Sequence, residues 1–286
     1  MRRFTATLAI AGLALAGAIH TSAAYAVDPA LTAVIDARSE KDKSRDAARH
    51  PAETLTFFQI EPGMTVDEGL PGGGWYSKIL ANYLGSKGTL YGVNYPERNW
   101  PLFSNQTREW RDARRAATGK FSGMIKGFTD NGITTAGFTF NTVPAETAGT
   151  VDRVLLIRAL HNLNRFNETA GTLNQALAAV RGMLKDDGMV GIVQHRLPET
   201  AAEEGADGSR GYLKQSTVIA AMEQAGFELV AASELNANPR DNPGPTDIVW
   251  RLPPSLSGSK DDPEKRAAME AIGESDRMTL LFRRAN

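Results

Sequence analysis

The segment VDEGLPGGGW, residues 66–75, decides the fold of this chain of 286 residues. Residues 64–68 predict a strand, and residues 75–84 predict a helix because Ile79, Leu80 and Tyr83 recur at helical spacing. Glycines between a strand and a helix let the backbone turn tightly and bring a ligand close to the first N–H groups of the helix. The segment therefore predicts a βα unit whose loop either binds a small molecule or is a plain turn.

The rest of the chain repeats this alternation. The run Val154-Leu155-Leu156-Ile157 is typical of a strand that is buried on both faces of a parallel sheet. Further strands are predicted at 90–94, 133–140, 151–158, 189–194, 228–235 and 278–284, and further helices at 28–46, 52–59, 108–118, 167–184 and 217–225. This order predicts the α/β class, with a doubly wound, mostly parallel, Rossmann-like sheet.

Residues outside the alternation complete the predicted domain. Residues 27–60 form an N-terminal helical extension, in which the charge-dense run 39–49 is predicted to be a solvated face. Residues 255–276 are predicted to be a surface excursion before the last strand, with a short helix at 264–271. We therefore expect a single domain over residues 27–286.

Composition excludes several classes of function. The chain has 32 basic and 33 acidic residues and no cysteine. The near-neutral balance argues against a nucleic-acid partner, and Glu109 and Asp112 interrupt the basic helix at 108–118. The absence of cysteine excludes disulfides, thiolate nucleophiles and cysteine-ligated metals. Since the histidines also lack HxH or HExxH spacing, no metal site is predicted.

The first 26 residues read as an export signal. Arg2 and Arg3 precede an uncharged run over residues 4–19, and Ala24-Tyr25-Ala26 has the small-x-small pattern that signal peptidase recognises. The apolar run is shorter than the ~20 residues that a membrane-spanning helix needs. We expect cleavage after Ala26, no stable membrane insertion afterwards, and a periplasmic or secreted protein.

Three stretches resemble the class I S-adenosylmethionine-dependent methyltransferases, and most closely a family of predicted exported members. These stretches are residues 57–76, residues 152–162 and residues 225–277, and together they span nearly the whole predicted mature chain. The resemblance implies that the cofactor is S-adenosyl-L-methionine and that the partner is a small-molecule acceptor of the methyl group. The acceptor and the oligomeric state cannot be read from the sequence.

The resemblance also implies which residues contact the methionine part of the cofactor. The family pattern E-x-G-x-G-x-G is matched by Glu68, Gly72 and Gly74, with Gly73 inside the same loop. Leu70 stands at the position of the first glycine, where its side chain is expected to crowd the cofactor or reshape the loop.

The ribose contact departs from the family pattern as well. The family places an acidic residue at the end of the second strand, where it accepts hydrogen bonds from both ribose hydroxyls. Asn94 stands there in this chain, and it has one acceptor oxygen and no charge, so its bonds should be weaker. Glu97, three residues later, is a possible substitute.

Candidate catalytic groups follow the fourth and fifth strands. His161 comes after residues 151–158, and His195 and Arg196 come after residues 189–194. The carboxyl ends of parallel strands form the ligand-binding edge of such a sheet, where a histidine can act as a general base. The alternatives are a packing role for each histidine, or catalysis by positioning alone. Tyr212 and Trp250 are either pocket walls or core residues.

Three functions remain open because the export signal conflicts with a cofactor that is made in the cytoplasm. The first is an S-adenosylmethionine-dependent methyltransferase. The second is an exported protein that binds or transforms another small molecule on the same fold. The third is a non-enzymatic binding module with a degenerate cofactor site. Leu70 and Asn94 favour the second and third functions, whereas Glu68, Gly72 and Gly74 favour the first.

Overall fold

The computed structural model describes residues 26–285 and contains one eight-stranded sheet. The predicted export signal, apart from Ala26, lies outside the described residues. The strands are β1 (Thr65–Gly69), β2 (Thr89–Asn94), β3 (Thr134–Thr139), β4 (Val151–Ile157), β5 (Leu184–Leu197), β6 (Leu213–Lys214), β7 (Phe227–Ser233) and β8 (Arg277–Arg284). Their order is β3-β2-β1-β4-β5-β8-β7, with the short β6 pairing beside β5. Strands β1 to β6 pair in parallel, and β8 is antiparallel to both β5 and β7, which confirms the predicted Rossmann-like sheet.

Eleven α-helices flank this sheet in the part of the chain that the structure describes. They are α1 (Pro29–Asp36), α2 (Glu40–Lys43), α3 (Asp46–Arg49), α4 (Pro51–Phe57), α5 (Trp75–Leu84), α6 (Arg108–Lys126), α7 (Leu160–Asn164), α8 (Asn167–Ala170), α9 (Thr172–Met183), α10 (Gln215–Gln224) and α11 (Pro263–Ile272). Within residues 26–285, none of the helices is both long enough and apolar enough to cross a bilayer.

Two apolar layers cover the two faces of the sheet. On one face, Leu155 of β4 packs in a cluster with residues of α1, α4, α5 and α6. On the other face, Val154 and Leu156 of β4 pack with residues of α7, α9 and α10. The central strand β4 is therefore buried on both sides, as its continuous apolar run predicts.

The predicted single helix over residues 28–46 is wrong, since the structure divides this segment into α1, α2 and α3. Ser39 adopts an extended backbone and its side chain accepts a hydrogen bond from the N–H of Asp42, so it starts a new helix as an N-cap. His50 is left-handed at φ 42° and separates α3 from α4, which begins at Pro51. The helix predicted at 167–184 is broken in the same way, because Gly171 at φ 62° separates α8 from α9.

The prediction of a solvated face over residues 39–49 is wrong at Arg49, whereas Ser39, Glu40, Lys41, Ser44 and Ala47 are exposed. Arg49 is 3% exposed, and Trp75 lies against its guanidinium at 4.7 Å from the ring centroid. Arg38 is 7% exposed, contacts the same ring at 5.1 Å and pairs with Asp46. Mixed charge in this run therefore serves internal pairing, because the segment lies over the carboxyl edge of the sheet.

Candidate functional site

The loop between β1 and α5 holds three residues in the left-handed region. They are Leu70 at φ 55°, Gly72 at φ 60° and Gly74 at φ 76°. The N–H of Leu70 donates to the carbonyl of Val93 in β2 at 2.7 Å, which ties the loop to the neighbouring strand. The left-handed backbone favours glycine at position 74, and a Cβ atom there would also lie 2.9 Å from the end of the Met124 side chain in α6, which would have to shift. The loop therefore has a defined shape at the carboxyl edge of the sheet.

Leu70 occupies the first-glycine position at the cost of an unfavourable backbone conformation. A non-glycine residue in the left-handed region lowers the stability of the folded state by roughly 1–2 kcal/mol. Its side chain is half-buried and lines the cleft described below. The side chain thus lies on the loop side of the cleft, and the crowding of a cofactor at this position stays a prediction.

Glu68 lies beneath the loop and does not line the cleft. It is 5% exposed, and the hydroxyl of Ser77 in α5 donates to its Oε2. Burial raises the pKa of Glu68 to about 7, while the hydrogen bond from Ser77 and the charge of Arg158 oppose that rise. Glu68 thus joins β1 to α5, and its predicted contact with a cofactor stays a prediction.

A cleft of about 750 Å³ opens beyond the ends of β1 and β2, between the glycine loop and α6. Leu70 and Gly72 form one side of it, and Asn94 lies at its floor. Five aromatic residues of the lining come from the loops around it and from the first turn of α6: Tyr95, Trp100, Phe103, Trp110 and Trp250. A concave site of this size with an aromatic wall suits a ligand with a flat ring system.

The aromatic wall follows from the local structure of residues 95–110. Thr107 caps α6 by accepting a hydrogen bond from the N–H of Trp110, which fixes the first turn of the helix. Phe103 packs edge-on against Tyr95, with 5.3 Å between ring centroids, and tilted against Trp110, with 5.6 Å between ring centroids. Sequence reasoning missed these residues, although the density of aromatic residues just after the second strand was a usable signal.

The charged residues of the cleft are all basic. Arg114, Lys120 and Arg165 belong to its lining, and no carboxylate does in the part of the chain that the structure describes. The predicted substitute acid, Glu97, pairs instead with Arg115 at 2.7 Å. The cleft therefore favours a ligand that does not need a carboxylate partner.

Asn94 reaches the cleft with its amide already bonded to the backbone. Its Oδ1 accepts the N–H of Tyr95 at 2.8 Å, and its Nδ2 donates to the carbonyl of Arg114 at 3.3 Å. One lone pair on Oδ1 stays available to a ligand hydroxyl. The predicted contact of Asn94 with a ribose stays a prediction.

His161 is held in one tautomer. The side-chain nitrogen of Gln194 donates to the carbonyls of Gly211 and His195, so its Oε1 must be an acceptor. That oxygen lies 3.1 Å from Nδ1 of His161, which therefore carries the proton and leaves the lone pair on Nε2. Burial lowers the pKa of His161 to about 4, with the hydrogen bond to Gln194 opposing that fall. The ring is neutral at pH 7 and able to accept a proton at Nε2.

The structure brings the two predicted histidines together. Their ring centroids lie 5.4 Å apart, and Trp250 packs against His161 at 5.9 Å. Nδ1 of His195 lies 2.5 Å from the hydroxyl of Ser275. Burial holds the pKa of His195 well below its usual range, and the positive charges around it act in the same direction. Two neutral imidazoles therefore lie side by side at the ends of β4 and β5.

Arg196 lies apart from this pair. Its guanidinium binds Asp276 at 2.8 Å and Glu234 at 2.6 Å, so its charge is already compensated. These bonds raise its pKa further. This geometry favours a structural role for Arg196, joining β5 to the segments beside β7 and β8, over the predicted catalytic one.

The two aromatic candidates have different positions. Tyr212 is fully buried, donates to Asp241 at 3.0 Å and accepts from Arg251 at 2.8 Å, so it is a core residue. Trp250 is half-buried and lines the cleft. Among residues 26–285, no three histidine, aspartate or glutamate side chains converge to form a metal site.

Comparison with known proteins places the fold. No protein-family model matches the chain, and no curated protein matches it. Among solved structures, a putative sarcosine dimethylglycine methyltransferase from Galdieria sulphuraria is similar, with TM-score 0.51, 12% identity, and 88% of this chain and 90% of that chain covered. A putative methyltransferase from Haloferax volcanii, in complex with the activator Trm112, has TM-score 0.50, 16% identity, and coverage of 91% and 98%. The [4+2]-cyclase SpnF also has TM-score 0.50, at 12% identity with coverage of 83% and 80%. The chain thus has the fold of class I S-adenosylmethionine-dependent methyltransferases, a fold that also carries a cyclase.

Proposed function

We propose that this protein is an S-adenosylmethionine-dependent methyltransferase that acts on a small-molecule acceptor. The observation that carries the proposal is the glycine loop of β1 and α5, which opens onto an aromatic cleft at the carboxyl edge of the sheet. That edge is where open α/β sheets bind their ligands.

The residues of the cleft fit the cofactor in part. Gly72 lets the backbone approach the ligand, the aromatic wall suits the adenine ring, and Asn94 can accept one ribose hydroxyl. Leu70 narrows the cleft on the side of the glycine loop. Among the described residues, the lining has no acidic side chain that could accept the second ribose hydroxyl. When bound, the cofactor supplies an electrophilic methyl group on a sulfonium centre.

The chain's own contribution is positioning and proton acceptance. The loop and the aromatic wall hold the reacting groups in line, which by itself accounts for a large part of methyl-transfer rates. We assign the proton that an acceptor loses to Nε2 of His161, because its Nδ1–H is fixed by Gln194 and its ring is neutral. Its pKa of about 4 makes the ring a weaker base than a free imidazole, and the ring lies behind the residues that line the cleft.

A calorimetric titration with S-adenosylmethionine and S-adenosylhomocysteine tests the proposal. We expect saturable binding of both compounds. The proposal would be overturned if neither compound produced a heat of binding at concentrations up to millimolar. Gly72→Val should weaken binding by about tenfold or more, because it puts a β-branched side chain in the left-handed region beside the cleft. Gly182→Ala is the control, since it lies in α9 and a Cβ there meets nothing within 4 Å.

A second function is favoured by one observation. The lining carries Arg114, Lys120 and Arg165 with no carboxylate, and Asn94 replaces the usual acid. These residues suit a binding protein or enzyme for an anionic, ring-bearing ligand on the same fold. Saturable binding of an adenine nucleotide without binding of S-adenosylhomocysteine would favour this second function.

A further inference from the structure

Three arginines bind one glutamate beside the histidine pair, and a fourth, Arg158, lies within electrostatic range of that glutamate. We call this group the arginine cluster: Arg45, Arg49, Arg158 and Arg277 around Glu274. The carboxylate of Glu274 accepts from Nε of Arg45 at 2.7 Å, from Nε of Arg49 at 3.3 Å and from Nη1 of Arg277 at 3.1 Å. These bonds, and the attraction of the guanidiniums, hold the pKa of Glu274 below its usual range against the effect of burial. Glu274 is therefore ionised, and it is shared by three cations.

Arg158 has no such partner. It is half-buried, and in the part of the chain that the structure describes its guanidinium makes no hydrogen bond and no ion pair. Its backbone is left-handed at φ 55°, directly after β4, and its N–H donates to the carbonyl of Val193 at 2.6 Å. A non-glycine residue in this conformation is uncommon, and such outliers concentrate at functional sites. The strained backbone aims a free guanidinium at the edge of the sheet.

The charges around Arg158 do not balance. Burial lowers the pKa of Arg49 to about 10 and lowers that of Arg158 as well, but both groups stay protonated at neutral pH. His161 and His195 are neutral, so four positive charges face the carboxylate of Glu274 and the buried Glu68, whose pKa of about 7 leaves it only partly ionised at neutral pH. Partly buried cations without partners are unfavourable, and a guanidinium pairs best with a carboxylate or phosphate through two parallel hydrogen bonds. The excess positive charge and the unpaired guanidinium of Arg158 therefore suit an external oxyanion.

The position of the cluster indicates which ligand would bring that oxyanion. The glycine loop leaves β1, and Asn94 ends β2 on one side of it. Arg158 follows β4, while His195 of β5 pairs in register with Arg277 of β8, further along the sheet in the opposite direction. The cluster thus lies on the far side of the glycine loop from Asn94 and beside the two imidazoles.

We propose that the arginine cluster, with Arg158 as its free donor, is an oxyanion subsite that holds a carboxylate or phosphate group of the methyl acceptor. This inference rests on the proposed function. It would make the acceptor an anionic small molecule, with its anion at Arg158 and its reacting atom near the histidine pair. The other source of the same chemistry is the carboxylate of the cofactor itself.

The test is titration of the purified protein with inorganic phosphate and with acetate, at constant ionic strength, with and without saturating S-adenosylhomocysteine. We expect at least one anion to bind in the presence of S-adenosylhomocysteine. Arg158→Asn should weaken that binding by roughly tenfold or more. Asparagine tolerates the left-handed region, and Arg158→Gly, which suits it best, is a second variant that should fold and lose the anion in the same way. Arg266→Gln, on the exposed face of α11, is the charge-matched control and should bind the anion as the wild type does.

Several outcomes would overturn the inference. One is that neither anion binds, and another is that Arg266→Gln loses as much affinity as Arg158→Asn. A third is competition between the anion and S-adenosylhomocysteine. A fourth is that Arg158→Asn binds S-adenosylhomocysteine more weakly than the wild type does but binds 5′-methylthioadenosine, which lacks the carboxylate, equally well. The arginine cluster would then hold the carboxylate of the cofactor. If the wild type binds no S-adenosylhomocysteine, the proposed function fails, and the titrations without it still test the oxyanion subsite.

Discussion

Leu70 has a backbone conformation that its own side chain disfavours. Leu70 adopts φ 55° because the loop must turn from β1 into α5, and the N–H of Leu70 is bonded to Val93. Glycine would take this conformation without strain. Leucine in place of the pattern's glycine therefore leaves backbone strain in the folded state.

A pair of variants at this position measures that cost. Leu70→Gly should be more stable than Leu70→Ala by about 1 kcal/mol, because both remove the side chain and only glycine relieves the left-handed strain. Urea unfolding of the two proteins gives the difference. At Ala268, in the exposed helix α11, the change to glycine should destabilise by about 1 kcal/mol. If Leu70→Ala were as stable as Leu70→Gly, or more stable, the inferred backbone strain at position 70 would be contradicted.

Glu68 makes stability depend on pH. Its pKa is raised from 4.5 to about 7 in the folded protein, so the stability it contributes is present below pH 4.5 and is lost as pH rises through about 7. Glu68→Gln keeps an acceptor for Ser77 and cannot ionise. Its free energy of unfolding relative to the wild type should rise by up to about 3 kcal/mol between about pH 4.5 and pH 8. Denaturant unfolding at both pH values checks this.

The comparison with Glu68→Gln is needed because His161 also makes stability depend on pH in the same pH range, and its effect has the opposite sign. Its pKa falls from 6.5 to about 4, so its contribution is present above pH 6.5 and is lost as pH falls through about 4. This contribution is common to both proteins and cancels in the difference. Parallel pH profiles of the two proteins would show that Glu68 is ionised at neutral pH.

At the scale of elements, Glu274 joins the N-terminal helices to β8. The carboxylate binds Arg45 and Arg49 at the two ends of α3, and Arg277 at the start of β8. Arg277 also donates to the carbonyl of Ala48 in α3. The helical extension is therefore held over the sheet edge largely by charge-assisted hydrogen bonds, beside the apolar contacts of α1 and α4.

Removal of that one negative charge should be costly. Glu274→Gln leaves the guanidiniums facing one another without a counter-charge, so we expect a loss of about 3 kcal/mol in the free energy of unfolding. Glu270→Gln, which breaks an exposed pair with Arg266 at 3.0 Å, should cost less than about 1 kcal/mol. Thermal and urea unfolding of both variants make the comparison. Similar losses in the two would mean that the cluster does not anchor the extension.

At the scale of the whole molecule, helix α1 begins at Pro29, three residues after Ala26, the last residue of the predicted export signal. Asp28 caps α1 by accepting the N–H of Ala30 at 2.8 Å, and its other oxygen accepts from the hydroxyl of Tyr83 at 2.8 Å. Cleavage after Ala26 would leave both contacts intact. We propose that the protein is exported and processed at this site.

N-terminal sequencing of the protein recovered from the exported fraction tests this proposal. We expect the sequence to begin at Val27. Ala26→Leu should block processing and leave the full-length chain, because signal peptidase requires a small residue there. Ala23→Leu, outside the small-x-small pattern, is the control and should be processed normally. An unprocessed wild type that stays in the cytosol would contradict export and would remove the conflict with a cytoplasmic cofactor.

Local patterns predicted most of the secondary structure. The helix at 75–84 is observed with the predicted bounds, and the strands around it differ by one residue at their ends. The bounds failed where a side chain or a left-handed residue interrupts a continuous pattern, as Ser39 and Gly171 do. The fifth strand is longer than predicted, because Leu184 pairs with Val151 of β4 at its start, and Arg196 and Leu197 pair with β6 at its end.

The amino-acid sequence by itself determined the α/β class, the order of the βα units and the glycine turn, because these depend on periodicity and on residues close together in the chain. The tertiary structure decided the chemistry of the site. Glu274 and Arg45 lie 229 residues apart, and the tautomer of His161 depends on Gln194, 33 residues away. Charge pairing and proton positions depend on distances between elements, and those distances exist only after the sheet has brought the ends of β4, β5 and β8 to one edge.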